Sequence, residues 1–327
     1  MNLILLRSNE LKDSTGSSAH GDCAGSSPKR HKGPATKVVA HLDGTDARAR
    51  HIVQHLRKRT GDQVSVGVIN GSKGKAIVTV DDDTSESTGD VEGSKKKKGG
   101  ASVTLELTFD LDPSSNNNQS AQPEMTLILA IPQPKRLQKL WSVMSQMGVT
   151  RIVLIRAKLS PFGTHCKSSK FTEESYRALI EEGMAQGAHT REVTVDVEVD
   201  EVISPAVLEM LGLRRNANGD GDDNMTQRQA RLFLDCGDES GMVVPPAREV
   251  VTEACTSSDA NASSVPPSAV LAIGPERGWT EEESRLFQDE GGFRMASLGP
   301  SIMRVDVAVV AGLAVVSAAL DEAASSK

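Results

Sequence analysis

The chain has few cysteines, and its C-terminal part has no histidine. Four cysteines occur among the 327 residues: Cys23, Cys166, Cys236 and Cys255. No two of them form a C-x-x-C pair, which argues against a zinc site and a disulfide framework and favours a reducing compartment. Because no histidine follows His189, no Ser/His/Asp or Cys/His grouping can be argued there. We therefore expect no metal and no nucleophile–histidine catalysis.

Long apolar runs are also missing. No run approaches the roughly 20 apolar residues that cross a bilayer. The N-terminal run Met1–Arg7 is interpreted as a first strand; it is too short for a signal peptide, and no Arg- and Ser-rich transit segment precedes it. We therefore expect no membrane partner and a cytoplasmic location, or an organellar one in a eukaryotic host.

Two common nucleotide-binding motifs are absent from the sequence. No G-x-G-x-x-G follows the first strand of the second half, and no G-x-x-x-x-G-K-S/T occurs anywhere. The glycine-rich stretch Gly71–Lys75 overlaps the hairpin signal Asn70-Gly71, so it is interpreted as a turn. A Rossmann dinucleotide site and a P-loop are therefore both disfavoured.

The net charge of -7 is unusual for a protein that binds nucleic acid. Much of the acid lies in polar segments that are interpreted as inserts, whereas His51–Arg59 and Lys135–Lys139 are locally basic. Four segments are expected to be mobile and dispensable for the fold: Asn9–Ala35, Asp81–Gly100, Arg214–Gln229 and Gly237–Ser268. Their polar composition buries too little apolar surface to offset the entropy of ordering.

The first part of the chain is rich in strand patterns. Apolar residues alternate in Gln63–Val68 and again in Ala101–Leu111, and Ala76–Val80 follows the Asn70-Gly71 hairpin signal as a partner strand. The low-complexity stretch Pro113–Gln122 has the composition of a linker. We predict a small β-rich domain over residues 1–122 and a second domain over residues 123–327.

The second part alternates strands with helices. Met125–Ile131 is a continuous apolar run typical of a buried parallel strand, and Pro134 begins an amphipathic helix that Gly148 ends. Arg151–Arg156 is the next strand, and together these elements form a βαβ unit. Thr280 and Glu283 form a capping box that begins a later helix. The fold class is therefore α/β.

Two Gly-Pro corners organise the last 60 residues. The first follows a short apolar strand as Ile273-Gly274-Pro275-Glu276, and the second follows another as Leu298-Gly299-Pro300. Glycine permits close approach of the backbone to a ligand, and proline stiffens the loop. Glu276 after one corner and Arg304 after the other make the pair far more specific than either turn alone.

These segments resemble the C-terminal signature of the SPOUT methyltransferases, and most closely the RsmE-type uridine-N3 methyltransferases of small-subunit ribosomal RNA. That family shows I-G-P-E-G-G-F/W-S/T-x-x-E and then L-G-P-x-I-L-R-T-E-T-A. This chain departs from the pattern at five positions: Arg277, Met303, Val305, Asp306 and Val307. The stretch His51–Asp62 is similar, more loosely, to the segment that feeds the family's first domain. The resemblance implies a PUA-like β-barrel before a trefoil-knotted SPOUT domain, and a homodimer.

The resemblance also implies S-adenosyl-L-methionine as the cofactor and assigns roles to individual residues. The implied cofactor-binding residues are Leu234, Asp235, Ile273, Gly274, Pro275, Leu298, Gly299, Ile302 and Met303. The implied catalytic residues are Arg304, which would stabilise negative charge on the base, and Asp306 or Glu276, which would act as base or orient Arg304. The implied RNA-binding residues are His51, His55, Arg57, Arg156 and Arg191.

The implied substrate is small-subunit ribosomal RNA, either free or in an assembled subunit. A flipped or single-stranded base is required, because N3 lies on the Watson–Crick edge. Two alternatives stay open from the sequence. The first is a knotted RNA-binding or ribosome-assembly factor that has lost catalysis, and the second is a SPOUT enzyme that acts on another RNA.

Overall fold

The computed structural model describes residues 3–13, 37–81, 100–111, 123–161, 172–214, 228–235, 243–256 and 266–325. The chain divides into two compact units, Met1–Asn116 and Asn117–Lys327, here called the N-terminal and C-terminal units. The domain boundary expected after residue 122 lies outside the described residues.

The N-terminal unit is built on one mixed sheet. Its strands are β1 (Ile4–Leu6), β2 (Leu11–Asp13), β3 (Val38–Leu42), β4 (Gln63–Val68), β5 (Lys73–Asp81) and β6 (Ser102–Leu107). The spatial order is β1-β4-β5-β6-β3-β2, in which β1 pairs with β4 in parallel and all other neighbours are antiparallel. No pairing joins β1 to β2 within the described residues, so the PUA-like barrel stays a prediction.

The alternating residues of these strands form the core of the unit. Val64, Val66 and Val68 of β4 are buried together with the inward residues of β5 and β6, as the period of two predicts. A short helix, α1 (Ala47–Arg50), leads into a π-helical turn at His51–His55. This turn packs into the core of the unit through Ile52, which is fully buried.

A charged cluster ties the N-terminus to α1. Arg48 donates to both oxygens of Glu10, at 3.0 and 2.5 Å, and to Asp46. Burial alone would raise the pKa of the Glu10 carboxyl. The hydrogen bonds from Arg48 and from the backbone of Arg7 outweigh that effect and lower the pKa below its ordinary value. The same ion pairs raise the pKa of Arg48.

The C-terminal unit alternates strands and helices, as predicted. Its strands are β7 (Glu124–Ala130), β8 (Arg151–Arg156), β9 (Thr194–Val202), β10 (Gln229–Leu234), β11 (Ser268–Ile273) and β12 (Arg294–Ala296). Its helices are α2 (Pro134–Gln146), α3 (Glu173–Gly187), α4 (Pro205–Met210), α5 (Ala247–Cys255), α6 (Glu281–Asp289) and α7 (Val305–Ser325). The α/β class is confirmed.

All six strands of this unit are parallel, in the order β12-β10-β11-β7-β8-β9. The central strands β11 and β7 are buried along nearly their whole length, which explains their continuous apolar sequences. Because the strands are parallel, their carboxyl ends meet at one edge of the sheet. Both Gly-Pro corners follow strands that end at this edge.

Helices α2 and α3 pack unusually close together. A side chain at Gly183 of α3 would place its Cβ 2.0 Å from the carbonyl oxygen of Ser142 on α2. Gly183 is therefore required here because the two backbones touch. On the same helix pair the ring of Trp141 packs against that of Tyr176 in a tilted arrangement, with ring centroids 4.7 Å apart.

The prediction that Gly237–Ser268 is a mobile insert is wrong for part of the segment. It contains α5, whose residues Ala247, Val250, Val251 and Cys255 are buried at helical spacing.

One buried arginine contacts the C-terminal ends of two helices. Arg228 donates to the carbonyl oxygens of Cys255, at 3.0 Å, and Ala323, at 2.9 Å, near the ends of α5 and α7.

The expected insert Asn9–Ala35 is also partly ordered. Leu11–Asp13 forms β2 and pairs with Val38–Ala40 of β3. The structure describes only the ends of the four predicted inserts and the stretch 243–256; the rest of these segments lies outside the described residues.

The last helix, α7, is long and apolar enough by composition to cross a membrane. One face of α7 packs against β11 and α5 through Val309, Leu313, Val316 and Leu320, which are all buried. The core helix of a folded domain meets the same criteria of length and composition.

Candidate functional site

The first Gly-Pro corner begins directly after β11. Gly274 lies against the indole of Trp279, and a Cβ at Gly274 would stand 3.1 Å from the ring. Trp279 is itself only 8% exposed and packs edge-on against Phe287 of α6, with ring centroids 4.8 Å apart. A side chain at position 274 would therefore push the corner off its support.

The second Gly-Pro corner lies beyond β12, and a segment that the sequence did not point to runs beside it. Ser297 donates its backbone N–H to Pro245 and accepts from that of Ala247, both at 2.9 Å. Gly299 has a φ of 117°, which favours glycine, and no atom lies within 4 Å of where its Cβ would be. The backbone at Gly299 is thus open to close approach.

The nine residues expected to bind the cofactor lie in different environments. Leu234 and Ile273 support α7 from below, since both side chains lie within 3.8 Å of the Cβ position of Gly312. Asp235 continues the sheet by donating its backbone N–H to Ala296. By contrast, Ile302 is 90% exposed and follows the second corner as an uncovered apolar side chain. The remaining five are Gly274, Pro275, Leu298, Gly299 and Met303.

Two of the predicted catalytic residues form an ion pair at the start of α7. Arg304 donates Nη2 to Asp306 at 2.5 Å and Nε at 3.1 Å. The hydrogen bond from Arg304 lowers the pKa of the Asp306 carboxyl below its ordinary value, and the pair raises the pKa of Arg304. Asp306 therefore remains ionised and holds the guanidinium in place. The side chain of Arg304 is still 69% exposed, so it can reach a substrate.

The third predicted catalytic residue, Glu276, is paired with an arginine that the sequence analysis placed only in a basic patch. Arg136, at the start of α2, donates Nη1 to Glu276 Oε1 at 2.5 Å. Its charge also contributes to the low pKa of Asp306. Arg136 thus belongs to the same cluster as Glu276, Asp306 and Arg304. Nothing local to residues 135–136 signals this, because the contact spans 140 positions of the chain.

The expected RNA-binding residues are not all brought to this edge. Arg156 ends β8 and donates to the carbonyl oxygen of Asp200, so it lies at the carboxyl edge of the sheet. Arg191 precedes β9 and forms an ion pair with Glu124, the first residue of β7. Arg191 therefore lies at the opposite edge. Gln186 of α3, which lies close to Arg191 in the sequence, instead donates to Glu182 on the same helix.

The other expected RNA-binding residues belong to the N-terminal unit. The rings of His51 and His55 face each other on the π-helical turn, with centroids 5.4 Å apart. Arg57 follows with a φ of 52°, a left-handed conformation that is uncommon for arginine. Across the stretches of chain that the structure covers, no group of three or more His, Cys, Asp and Glu side chains is placed to hold a metal ion.

Comparison with known proteins assigns the chain to a family. The RNA methyltransferase domain family matches residues 118–243 and 238–317, which include both Gly-Pro corners and the charged cluster. The chain belongs to this family. A relative in Treponema pallidum (strain Nichols), named ribosomal RNA small subunit methyltransferase E, is 24% identical over 280 residues, which cover 85% of each chain. The RsmE-type resemblance is confirmed.

Solved structures show the same fold. A putative methyltransferase of Legionella pneumophila, solved with bound SAM, is 16% identical, with a TM-score of 0.54 over 86% of this chain and 92% of that one. A probable rRNA-methyltransferase of Porphyromonas gingivalis is 17% identical, with a TM-score of 0.51 over 85% of this chain and 94% of that one.

Proposed function

We propose that this protein uses S-adenosyl-L-methionine to methylate N3 of a uridine in small-subunit ribosomal RNA. The carrying observation is the meeting of two Gly-Pro corners with an exposed arginine at one edge of a parallel sheet. Gly274 follows β11, whereas Gly299 and Arg304 follow β12, and both strands pair in parallel with β10 and end at the same edge of the sheet. Membership of the RNA methyltransferase family and the RsmE-named relative support the proposal.

The residues at this edge fit the proposed cofactor. Backbone groups at Gly299 can approach an adenosine closely, because its φ of 117° and the open space around it leave room. The uncovered side chain of Ile302 and the half-buried Leu298 and Met303 supply apolar contact. When bound, S-adenosylmethionine supplies an activated methyl group on a sulfonium. The protein then needs to orient the acceptor for in-line transfer and to stabilise it in its deprotonated form.

Arg304 is proposed to make the acceptor reactive. Uridine N3 carries a proton, which passes to Glu276 or to solvent water before N3 can accept the methyl group. The negative charge that this leaves on the base is stabilised by a fixed guanidinium. Asp306 orients Arg304 through the two hydrogen bonds of their ion pair. The low pKa of the Asp306 carboxyl makes it a weak proton acceptor, so the orienting role is favoured over that of a general base.

Quaternary structure and RNA contact belong to the same proposal. The outward face of α7 exposes Val307, Val310, Ala314 and Ala318, an apolar stripe that a second copy of the chain would cover. We propose a homodimer through this face, a trefoil knot at the corners and a PUA-like barrel in the N-terminal unit. We also propose that His51, His55, Arg57 and Arg156 contact the RNA. The proposed location is the cytoplasm or an organelle.

Methylation assays with mapping of the modified base test the proposed function. Purified protein is incubated with labelled cofactor and either naked small-subunit RNA or assembled small subunits. We expect a single uridine to be modified at N3 and the reaction to proceed in chelator. Modification of another position or of another RNA would support the alternative of a different SPOUT enzyme.

A second candidate is an RNA-binding or assembly factor without catalysis. The departures Arg277, Val305 and Asp306 from the family signature leave this alternative open, because they lie in or next to the corners. Binding of small-subunit RNA with no methyl transfer to either substrate form would establish this alternative. Calorimetric titration with the cofactor adds a separate readout. A factor that has lost catalysis because it no longer binds the cofactor gives no heat of binding.

A further inference from the structure

Glu283 places a carboxylate inside the C-terminal unit, where two chain segments meet. The residue is 4% exposed. Its Oε1 accepts the backbone N–H of Lys158 at 2.7 Å. Its Oε2 accepts the backbone N–H of Thr280 at 2.8 Å and the Thr280 hydroxyl at 3.0 Å. One side chain therefore joins the segment after β8 to the residue that caps α6.

Helix capping accounts for only half of this arrangement. A capping box needs the bonds between Thr280 and Glu283, and these use Oε2. The bond from Lys158 to Oε1 crosses 125 positions of the chain and stabilises no helix end. A second function is therefore needed to explain why the carboxylate is buried at a contact between two loops.

The contact between Glu283 and Lys158 is linked to the first Gly-Pro corner through Thr280 and Trp279. Thr280 directly follows Trp279, whose indole supports Gly274. Trp279 also shares a core cluster with Ala157, the residue before Lys158. The indole Nε1 of Trp279 is buried and has no hydrogen-bond partner, so packing alone holds the ring in place. The position of Gly274 thus depends on how firmly residues 157–158 and 279–280 are held together.

We propose that Glu283 is a positioning residue, which clamps the segment after β8 to the first Gly-Pro corner and so keeps Gly274 placed for the cofactor. This inference rests on the proposed function. Glu283→Gln tests it, because glutamine has only one oxygen that accepts hydrogen bonds, and its NH2 group only donates. In this variant the backbone N–H of either Lys158 or Thr280 therefore faces an NH2 group and loses its acceptor.

The neighbouring residue offers a matched control. Glu282 accepts from Lys158 Nζ at 2.7 Å, but its side chain is 80% exposed. Glu282→Gln removes the same charge from the same helix turn and the same lysine, while the buried clamp stays intact. Exposed ion pairs of this kind contribute little to stability.

The experiment compares the full-length wild type, Glu283→Gln and Glu282→Gln by calorimetric titration with S-adenosylmethionine, with thermal melting as the folding control. We expect Glu283→Gln to bind about tenfold more weakly or worse, and Glu282→Gln to bind within about twofold of the wild type. In the methylation assay the KM for the cofactor rises in Glu283→Gln more than kcat falls. A residue that only stabilised α6 would lower the Tm and leave the Kd unchanged, and that result overturns the inference.

A measurement on the wild type covers the case in which Glu283→Gln does not fold. Coupling between binding events is reciprocal. If the contact between Glu283 and Lys158 raises the affinity for the cofactor, bound cofactor must stabilise that contact by the same free energy. Hydrogen exchange at the Lys158 amide is therefore expected to slow about tenfold when the cofactor is added. Unchanged exchange in a protein that binds the cofactor overturns the inference alone. Absence of cofactor binding by the wild type overturns the proposed function, and the inference with it.

Discussion

Arg136 and Glu276 form an ion pair of 2.5 Å that joins the start of α2 to the first Gly-Pro corner. The charge of Arg136 also reaches Asp306, which is paired with Arg304. The four side chains thus alternate in charge across the edge of the sheet. Each carboxylate faces an arginine, so the carboxylates orient their partners, and the arginines supply the positive charge that an anionic base or a phosphate needs.

Replacement of Arg304 by alanine tests the central catalytic assignment. We expect single-turnover methylation of small-subunit RNA to fall about a hundred- to a thousandfold, because a positioned cation next to the developing anion is lost. Arg304→Lys should recover only part of the rate, since lysine lacks the planar fork that Asp306 holds. Thermal melting should be unchanged. If Arg304→Ala keeps more than about a tenth of the wild-type rate, the assignment is wrong.

Replacement of Arg136 by methionine tests the residue that the sequence analysis did not assign to the site. Loss of a charged hydrogen-bond donor to Glu276 should lower the methylation rate about tenfold or more. Lys139→Met serves as the control, because Lys139 is also basic and on α2 but is exposed. Equal rates for the two variants would show that α2 contributes only general positive charge.

A charge on the outer face of α7 tests the proposed dimer. Val310→Glu should yield a monomer in light scattering, because an unpaired carboxylate cannot be buried between two apolar helix faces. Met210→Glu is the control, since Met210 is an apolar residue on α4 that is even more exposed than Val310, at 63% against 43%. If wild type and both variants share one mass, the stripe on α7 has another role.

The cluster of Arg48 with Glu10 and Asp46 predicts how stability depends on pH. The pKa values of both carboxyls are lowered in the folded protein, so their contribution is complete above the ordinary values of 4.5 and 3.8 and is lost as the pH falls below them. Arg48→Met should cost about 2 kcal/mol at neutral pH, where two carboxylates lose their partner.

Thermal melting of wild type and Arg48→Met between pH 7 and pH 3 checks this prediction. The difference in Tm should stay constant down to about pH 5 and then shrink. A difference that grows on acidification would show that the carboxyls are not stabilised in their charged form.

Local signals explain which elements the sequence predicted. Pro134 begins α2, Gly148 ends it with a φ of 83°, and the capping box of Thr280 and Glu283 begins α6. Each depends on residues within one or two turns, which is the range over which propensity and capping act. The buried strand β7 was equally visible as a continuous apolar run.

Contacts between distant segments explain what the sequence did not reveal. Helix α5 was missed because its short apolar face, which includes Val250 and Val251, lies between long polar stretches. The joining of Arg136 to Glu276 depends on the order of strands in the sheet, and no spacing in the sequence encodes that order. The separation of Arg191 from the site follows in the same way, since parallel strands place their first and last residues at opposite edges.

The backbone contact at Gly183 has a mechanical consequence for the enzyme. With no side chain between them, α2 and α3 cannot slide past each other without a steric collision, so any small displacement moves both helices together. Arg136 is carried by the first turn of α2. A molecule that shifts α3 would therefore move Arg136 relative to Glu276 and change methyl transfer without touching the cofactor or the RNA.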